Sequence, residues 1–245
     1  MGPDPRHAFR VARLRTPEEL LEIGFARSRV AMVNEAHDGL RRCVRTRVVG
    51  RRLLPVAHAL GVRHLAMEAL WDRGLAEQAK ADRRLPVASG YLAQPDLRAL
   101  VQDALDLGWT LLAYEADMSA APSSDLMSAA AASWRELEQA RNLAAVLPDG
   151  PLLVWCGNGH LSKVSRVDWQ PMACRFGELT GIEPFALDQT VSVLPPGHVQ
   201  PWVDRLRGEL ETLGGTAGFL SDHPPAGWCR CWADAFLLSL ENELA

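Results

Sequence analysis

The 245-residue sequence predicts one α/β domain with a central, mostly parallel sheet flanked by helices. Short apolar runs without alternation, typical of strands covered on both faces, recur along the chain with helical patterns between them. Four such runs lie at 30–33, 64–67, 110–114 and 152–156. Each is followed by an acid or a histidine. In a parallel sheet these residues would share one edge, at the strand carboxyl ends, and the functional site is predicted there.

The other elements follow in chain order. Residues 1–15 are predicted to form a flexible N-terminal arm ahead of a single domain at 16–245. Thr16 and Pro17 are typical of an N-cap and first helical position, so a short helix precedes the first strand. The irregular segment 71–87 is predicted to be a loop with a short helix, a candidate substrate lid. Further helices are predicted at 45–60, 95–107, 129–147, 172–179 and 202–213, and further strands at 184–187, 190–194 and 232–241.

Composition restricts the classes of function. The chain is 48% apolar and 23% charged, which suits a large core. Its net charge of −4 gives no reason to expect a nucleic-acid partner. The five cysteines are scattered, and Cys229 and Cys231 lack a second pair at metal-ligand spacing, so neither disulfides nor zinc are predicted. No apolar run is long enough to span a membrane and no signal peptide is recognised, so a cytoplasmic protein without a membrane partner is expected.

The motif N-E-A-H at 34–37 directly follows the first strand. Glu35 and His37 are two residues apart, so on an extended backbone their side chains point the same way. Because the usual pKa of histidine lies near neutrality, His37 is the candidate general base, with Glu35 orienting it. Arg41 and Arg42 lie about one helical turn further on. One of them is predicted to stabilise an oxyanion or to pair with the carboxylates, the alternative being a solvated helix face.

The later strands add further candidates. Glu68 ends the second run, where it would hold a water or orient His37. His160 follows the fourth run through Gly-Asn-Gly, a loop suited to close backbone approach, and is predicted to act as a second acid or base or to polarise a carbonyl. Glu115 and Asp117 follow the third run and are candidates for substrate binding.

In this order, the motif at 34–37, Glu68 and G-N-G-H at 157–160 resemble the superfamily that contains erythromycin esterases, ChaN-like haem-binding lipoproteins and Tiki proteases. That superfamily has a Gly-Glu and a His after its first strand, a Glu after the second, and a late His after a strand ending in Gly. The spacing of Glu and His here matches the ChaN-like form, with Asn34 in the place of the usual Gly.

The resemblance extends over roughly residues 29–189. It includes the helix that carries Arg135 and Asn142, which is similar to a family helix with an Arg ahead of the late strand. Both residues are therefore added as candidates for substrate binding.

The resemblance implies a hydrolase that acts on an ester, lactone or amide, without a required cofactor, through water activated by His37. A Tiki-like alternative holds a divalent metal among Glu35, His37, Glu68 and His160, a set of plausible ligands. A ChaN-like alternative is a non-enzymatic module that binds haem or another small molecule. In each case the expected partner is a small molecule.

Overall fold

The computed structural model describes residues 13–37, 40–70, 73–86, 90–193 and 201–240. The predicted α/β fold is confirmed. The described strands are β1 (Val30–Asn34), β2 (His64–Met67), β3 (Thr110–Ala113), β4 (Leu152–Cys156), β5 (Phe185–Val193), β6 (Thr216–Leu220) and β7 (Ala235–Leu240). The described helices are α1 (Pro17–Arg27), α2 (Leu40–Ala59), α3 (Arg73–Asp82), α4 (Pro95–Asp106), α5 (Ala129–Ala145), α6 (Met172–Thr180) and α7 (Pro201–Thr212), with short 3₁₀ helices at Gly90–Ala93 and Met118–Ala120.

The strands form one sheet in the order β3-β2-β4-β1-β5-β7-β6. The described pairings are parallel except that between β6 and β7. From β1 the chain moves outward to β2 and β3, returns with β4 between β2 and β1, and then adds β5 on the other side of β1. Ligands of open α/β sheets bind where the strand order reverses in this way, outside the carboxyl ends of the strands. A ligand site is therefore expected at the carboxyl ends of β1, β2 and β4.

Strand β1 is buried along its whole length. Ala31 and Val33 pack into the core formed with α1, α2 and α4, whereas Val30 and Met32 pack into the core formed with α5, α6 and α7. This alternation between two apolar layers is why the sequence of the strand shows no polar face.

Helix α2 approaches β4 closely at Gly50. A Cβ atom added there would lie 2.5 Å from the ring of Trp155. Glycine at this position therefore lets α2 pack closely against the sheet.

Three elements differ from the sequence predictions. Strand β5 is continuous, with a register shift between Asp188 and Val191, where the sequence predicts two short strands; residue 194 lies outside the described residues. The sequence does not predict β6, a five-residue edge strand held against β7. Helix α2 begins at Leu40, earlier than predicted, and continues through Pro55.

The first described residues are attached to the sheet. Leu14 is buried, and Arg15 exchanges two backbone hydrogen bonds of 2.8 Å with Gly218. The rest of the predicted arm, residues 1–12, and part of the predicted lid, residues 71, 72 and 87, lie outside the described residues. Among the residues that are described, no helix is both long and apolar enough to cross a membrane.

The substitution Gly50→Ala is expected to lower the free energy of unfolding by about 1–3 kcal/mol, because the added methyl group overlaps the packed Trp155 ring. Urea denaturation measures this change. Gly208→Ala is the matched control: Gly208 is an exposed residue of α7 with no atom within 4 Å of the added Cβ, so alanine should stabilise by about 0.5–1 kcal/mol. Equal effects of the two substitutions would contradict the proposed close approach.

Candidate functional site

A buried ion pair lies at the end of β1. Glu35 Oε2 accepts a hydrogen bond of 2.9 Å from Arg47 Nε, and the two side chains are 2% and 0% exposed. Arg47 Nη1 donates to Gln94 Oε1 at 2.6 Å, whereas Nη2 has no partner in the described part of the chain. A buried charge without a partner costs several kcal/mol. The guanidinium of Arg47 is therefore what allows a carboxylate to occupy this strand end.

The second oxygen of Glu35 faces His37. Its Oε1 lies 3.2 Å from His37 Nε2 and also accepts a hydrogen bond from the Tyr91 hydroxyl, which itself lies 3.1 Å from His37 Nε2. The hydrogen bond with Glu35 raises the pKa of His37 above its usual 6.5, although burial opposes the shift. Glu35 holds the His37 ring at Nε2, and the side chain remains 45% exposed. The rest of the ring is therefore open to solvent.

His160 lies between two carboxylates. Its Nε2 is 3.3 Å from Glu68 Oε2 and its Nδ1 is 2.9 Å from Glu136 Oε1. These distances suit an ion pair, but Nδ1 and Glu68 Oε2 are without a hydrogen bond of good geometry, so the attraction is mainly between charges. Burial lowers the pKa of His160, and the contact with Glu136 and the charge of Glu68 outweigh burial, so the net pKa is raised above 6.5. His160 thus keeps its positive charge over a wider pH range than a free histidine.

The two histidines meet at Gly157. A Cβ atom added to Gly157 would lie 2.8 Å from Glu68 Oε1, 3.2 Å from His160 Cδ2 and 3.3 Å from His37 Cε1. Only a glycine leaves room for these three side chains around one backbone position. Glu35, His37, Glu68 and His160 therefore form one cluster, named here the Glu/His cluster.

The predicted substrate-binding residues bind one another. The Glu115 side chain is 2% exposed and accepts a hydrogen bond of 3.0 Å from Arg135 Nε, and Gln139 donates to the same carboxylate. Asn142 donates to the Glu115 backbone carbonyl at 3.0 Å. These bonds attach α5 to the segment after β3. Asp117 is exposed and caps the 3₁₀ helix that follows it.

The arginine-rich stretch of α2 is only partly solvated. Arg45 and Arg47 are buried, whereas Arg51 is exposed and pairs with Asp103. The side chains of Arg41 and Arg42, predicted to be catalytic, lie outside the described residues.

Arg47 has the ion-pair role that the sequence assigns to Arg41 or Arg42. The signal available in the sequence is its helical spacing from Gly50 and Leu54, which puts it on the buried stripe. Val48, next to Arg47 in the chain, faces away from this stripe and is 40% exposed.

Sequence reasoning also misses Glu136 and Tyr91. Glu136 is 4% exposed and accepts hydrogen bonds from the Met172 backbone at 2.6 Å and from Trp169 Nε1 at 3.2 Å. In the amino-acid sequence, Glu136 is one of several charged residues of a helix that has no distinct apolar stripe. Tyr91 lies in a short 3₁₀ helix beyond the predicted lid, and no motif marks it.

The described residues contain no group of three or more His, Cys, Asp or Glu side chains arranged to hold a metal ion. Both oxygens of Glu35 already contact protein groups, and both nitrogens of His160 face carboxylates. A divalent ion held by the four predicted ligands would have to displace these contacts.

Cys156, at the end of β4, is fully buried. Burial raises the pKa of its thiol well above the usual value, and the nearby charge of Glu68 adds to the shift. The nucleophilic thiolate is therefore disfavoured at this strand end.

No family model and no curated protein matches the chain. Among solved structures, it is similar to one described as bacterial protein toxins, with 17% identity, a TM-score of 0.54, and coverage of 71% of this chain and 37% of that one. It is also similar to RRSP, a MARTX toxin effector domain from Vibrio vulnificus, with 18% identity, a TM-score of 0.53, and coverage of 71% and 35%. The match thus spans little more than a third of those chains. At this level of identity the similarity shows the α/β fold.

Replacing Arg47 by methionine is expected to lower the free energy of unfolding by about 3–5 kcal/mol, because it leaves the Glu35 carboxylate buried without its partner. Chemical denaturation measures the loss. Arg51→Met on the same helix breaks an exposed pair and should cost at most about 1 kcal/mol. Adding Glu35→Gln to Arg47→Met should recover part of the loss; if it does not, the pair is not the source of the effect.

Proposed function

We propose that this chain is a hydrolase in which the Glu/His cluster activates a water molecule to attack an ester, lactone or amide carbonyl. The observation that carries the proposal is the approach of His37, Glu68 and His160 to Gly157. A general base must lie within hydrogen-bond reach of the water that it activates, and these three side chains lie together around one backbone position at the strand ends. The resemblance of the N-E-A-H and G-N-G-H motifs to esterase-like proteins supports the same reaction class.

His37 is the general base in this proposal. Because Nε2 faces Glu35, Nδ1 is the ring nitrogen that accepts the proton of the water. Tyr91 and Arg47 act as positioning residues, since they hold the carboxylate that orients the imidazole. Partial exposure of His37 allows both water and substrate to reach it.

His160 supplies positive charge. Glu68 and Glu136 would otherwise present two carboxylates to the oxyanion that forms when water attacks the carbonyl carbon. A protonated His160 offsets one of these two negative charges, and stabilisation of developing charge by a preorganised site is usually a large part of catalysis. Arg41 and Arg42, near the start of α2, are the further candidates for contact with the oxyanion.

The proposed reaction balances with one water consumed. Water loses a proton to His37 and its oxygen bonds to the carbonyl carbon, giving a tetrahedral intermediate. When the intermediate collapses, the bond to the alcohol or amine breaks, and the leaving group takes the proton from His37. No step needs an external oxidant, reductant or cofactor.

The first test is hydrolysis of a panel that contains 4-nitrophenyl acetate, 4-nitrophenyl phenylacetate, δ-valerolactone and phenylacetanilide. His37→Ala is expected to lower kcat/KM by roughly 10²–10⁴-fold, the usual contribution of a general base. His58→Ala is the matched control, because His58 hydrogen-bonds Trp109 away from the cluster. Activity should survive dialysis against EDTA. Loss of activity on chelation, restored by a divalent metal, would favour the metal-dependent alternative.

If wild type and His37→Ala are equally inert on this panel, the hydrolase proposal fails. Titration with haem then tests the non-enzymatic alternative, which a Soret band would favour.

The second test is the pH dependence of kcat/KM. Because the base must be neutral and the pKa of His37 is raised, activity should increase with pH with a midpoint above 6.5. Glu35 is the main cause of this shift, so Glu35→Gln should move the midpoint to lower pH as well as reduce the rate. On the alkaline side, activity should fall as His160, whose pKa is also raised, loses its charge. A Glu35→Gln profile with an unchanged midpoint would exclude His37 as the titrating base.

A further inference from the structure

A cleft with a volume of about 240 Å³ lies next to the Glu/His cluster. Its walls include Val164, Arg166, Trp169 and Trp232, and it is named here the tryptophan cleft. Since a cavity of roughly 150 Å³ can hold a benzene molecule, the tryptophan cleft has room for one ring with a short polar substituent.

The segment Gly157–His160 connects the cleft to the cluster. At Gly157 an added Cβ would meet the cluster residues, whereas at Gly159 it would lie 3.4 Å from the ring of Trp169, a wall of the cleft. Gly157 and Gly159 thus contact different neighbours, the cluster and the cleft wall, although they are only two residues apart. A substrate seated in the cleft therefore lies one short loop away from the Glu/His cluster.

Both indole rings of the cleft are held by buried carboxylates. Trp169 Nε1 donates to Glu136 Oε1 at 3.2 Å, and Trp232 Nε1 donates to Asp188 Oδ2 at 2.6 Å. Glu136 is also the partner of His160. Because their N–H groups are used in this way, the rings offer apolar faces and edges to a ligand and lose little freedom when it binds.

The cleft also has a positive side. Arg166 is exposed in its wall, and the described residues form no ion pair with it. Arg230 lies nearby, with its guanidinium carbon 5.3 Å from the ring centroid of Trp232. Two arginines beside aromatic walls match a ligand that combines a flat apolar ring with an anionic group.

We propose that the tryptophan cleft is a subsite for an aromatic group that bears a carboxylate, located in the substrate away from the bond that is cleaved. This inference rests on the proposed hydrolase function for its biological setting. Binding at the cleft can nevertheless be measured without catalysis.

The experiment compares phenylacetate, acetate and benzyl alcohol by isothermal titration and ligand-observed NMR. Phenylacetate should bind about tenfold or more tightly than either fragment, because each fragment lacks the ring or the charge-assisted hydrogen bond. Equal affinity for phenylacetate and acetate, or no binding of phenylacetate, would overturn the proposal.

Matched substitutions locate the site. Val164→Trp should fill the cleft and abolish phenylacetate binding, whereas Val48→Trp, at a valine of similar exposure on α2, should not change it. Arg166→Gln should reduce the affinity for phenylacetate to that for benzyl alcohol, and Arg141→Gln, at an exposed arginine of α5, should leave it unchanged. Binding that is insensitive to both cleft substitutions would exclude this cleft.

The two proposals fail separately. His37→Ala should bind phenylacetate as wild type does, because His37 is not part of the cleft wall. Binding at the cleft without hydrolysis of any panel compound would retain the subsite and reject the hydrolase. Hydrolysis without binding of phenylacetate would reject the subsite and retain the hydrolase.

Discussion

The buried ion pair between Glu35 and Arg47 is the interaction on which the candidate site depends. A carboxylate at the end of a fully buried strand is unfavourable unless a charge of opposite sign lies against it. Arg47 supplies that charge from the buried face of α2. On the same helix, Gly50 lets α2 approach Trp155 of the sheet closely, and this packing brings Arg47 within reach of Glu35. With Glu35 held in this way, its other oxygen can orient His37. Packing between a helix and the sheet thus controls the position of a polar side chain at the edge.

The two histidines of the cluster differ in environment, which suits different tasks. His37 is half exposed and has one carboxylate partner, so it can exchange a proton with a bound water. His160 is nearly buried between Glu68 and Glu136, so its charge is stabilised by the protein and its access to solvent is small. In acid-base sites, different surroundings commonly give two groups of the same type different protonation behaviour and therefore different roles. Glu136 also contacts Trp169, and in this way the environment of His160 depends on the wall of the tryptophan cleft.

Local sequence patterns were sufficient for most of the elements and for four members of the site. The apolar runs identified β1 to β4, and the residues directly after them included Glu35, His37, Glu68 and His160. Arg47, Tyr91 and Glu136 were not predicted, because a helix or loop residue joins the site only through the direction in which its element packs. Edge strand β6 was missed for a related reason: a five-residue strand has too little pattern of its own, and its pairing with β7 defines it.

The amino-acid sequence by itself determined the α/β class, the order of β1 to β4 and of the helices between them, and the acids and histidines at the strand ends. These follow from burial on two faces and from strand termination, which are local properties. Tertiary structure alone decided the order of strands in the sheet, the pairing of Glu35 with Arg47, and the meeting of His37, Glu68 and His160 around Gly157. These features depend on contacts between residues that are far apart in the chain, such as the contact between Gly157 and the side chain of His37. The close approach there requires glycine, but nothing in the neighbouring residues specifies which side chains will surround it.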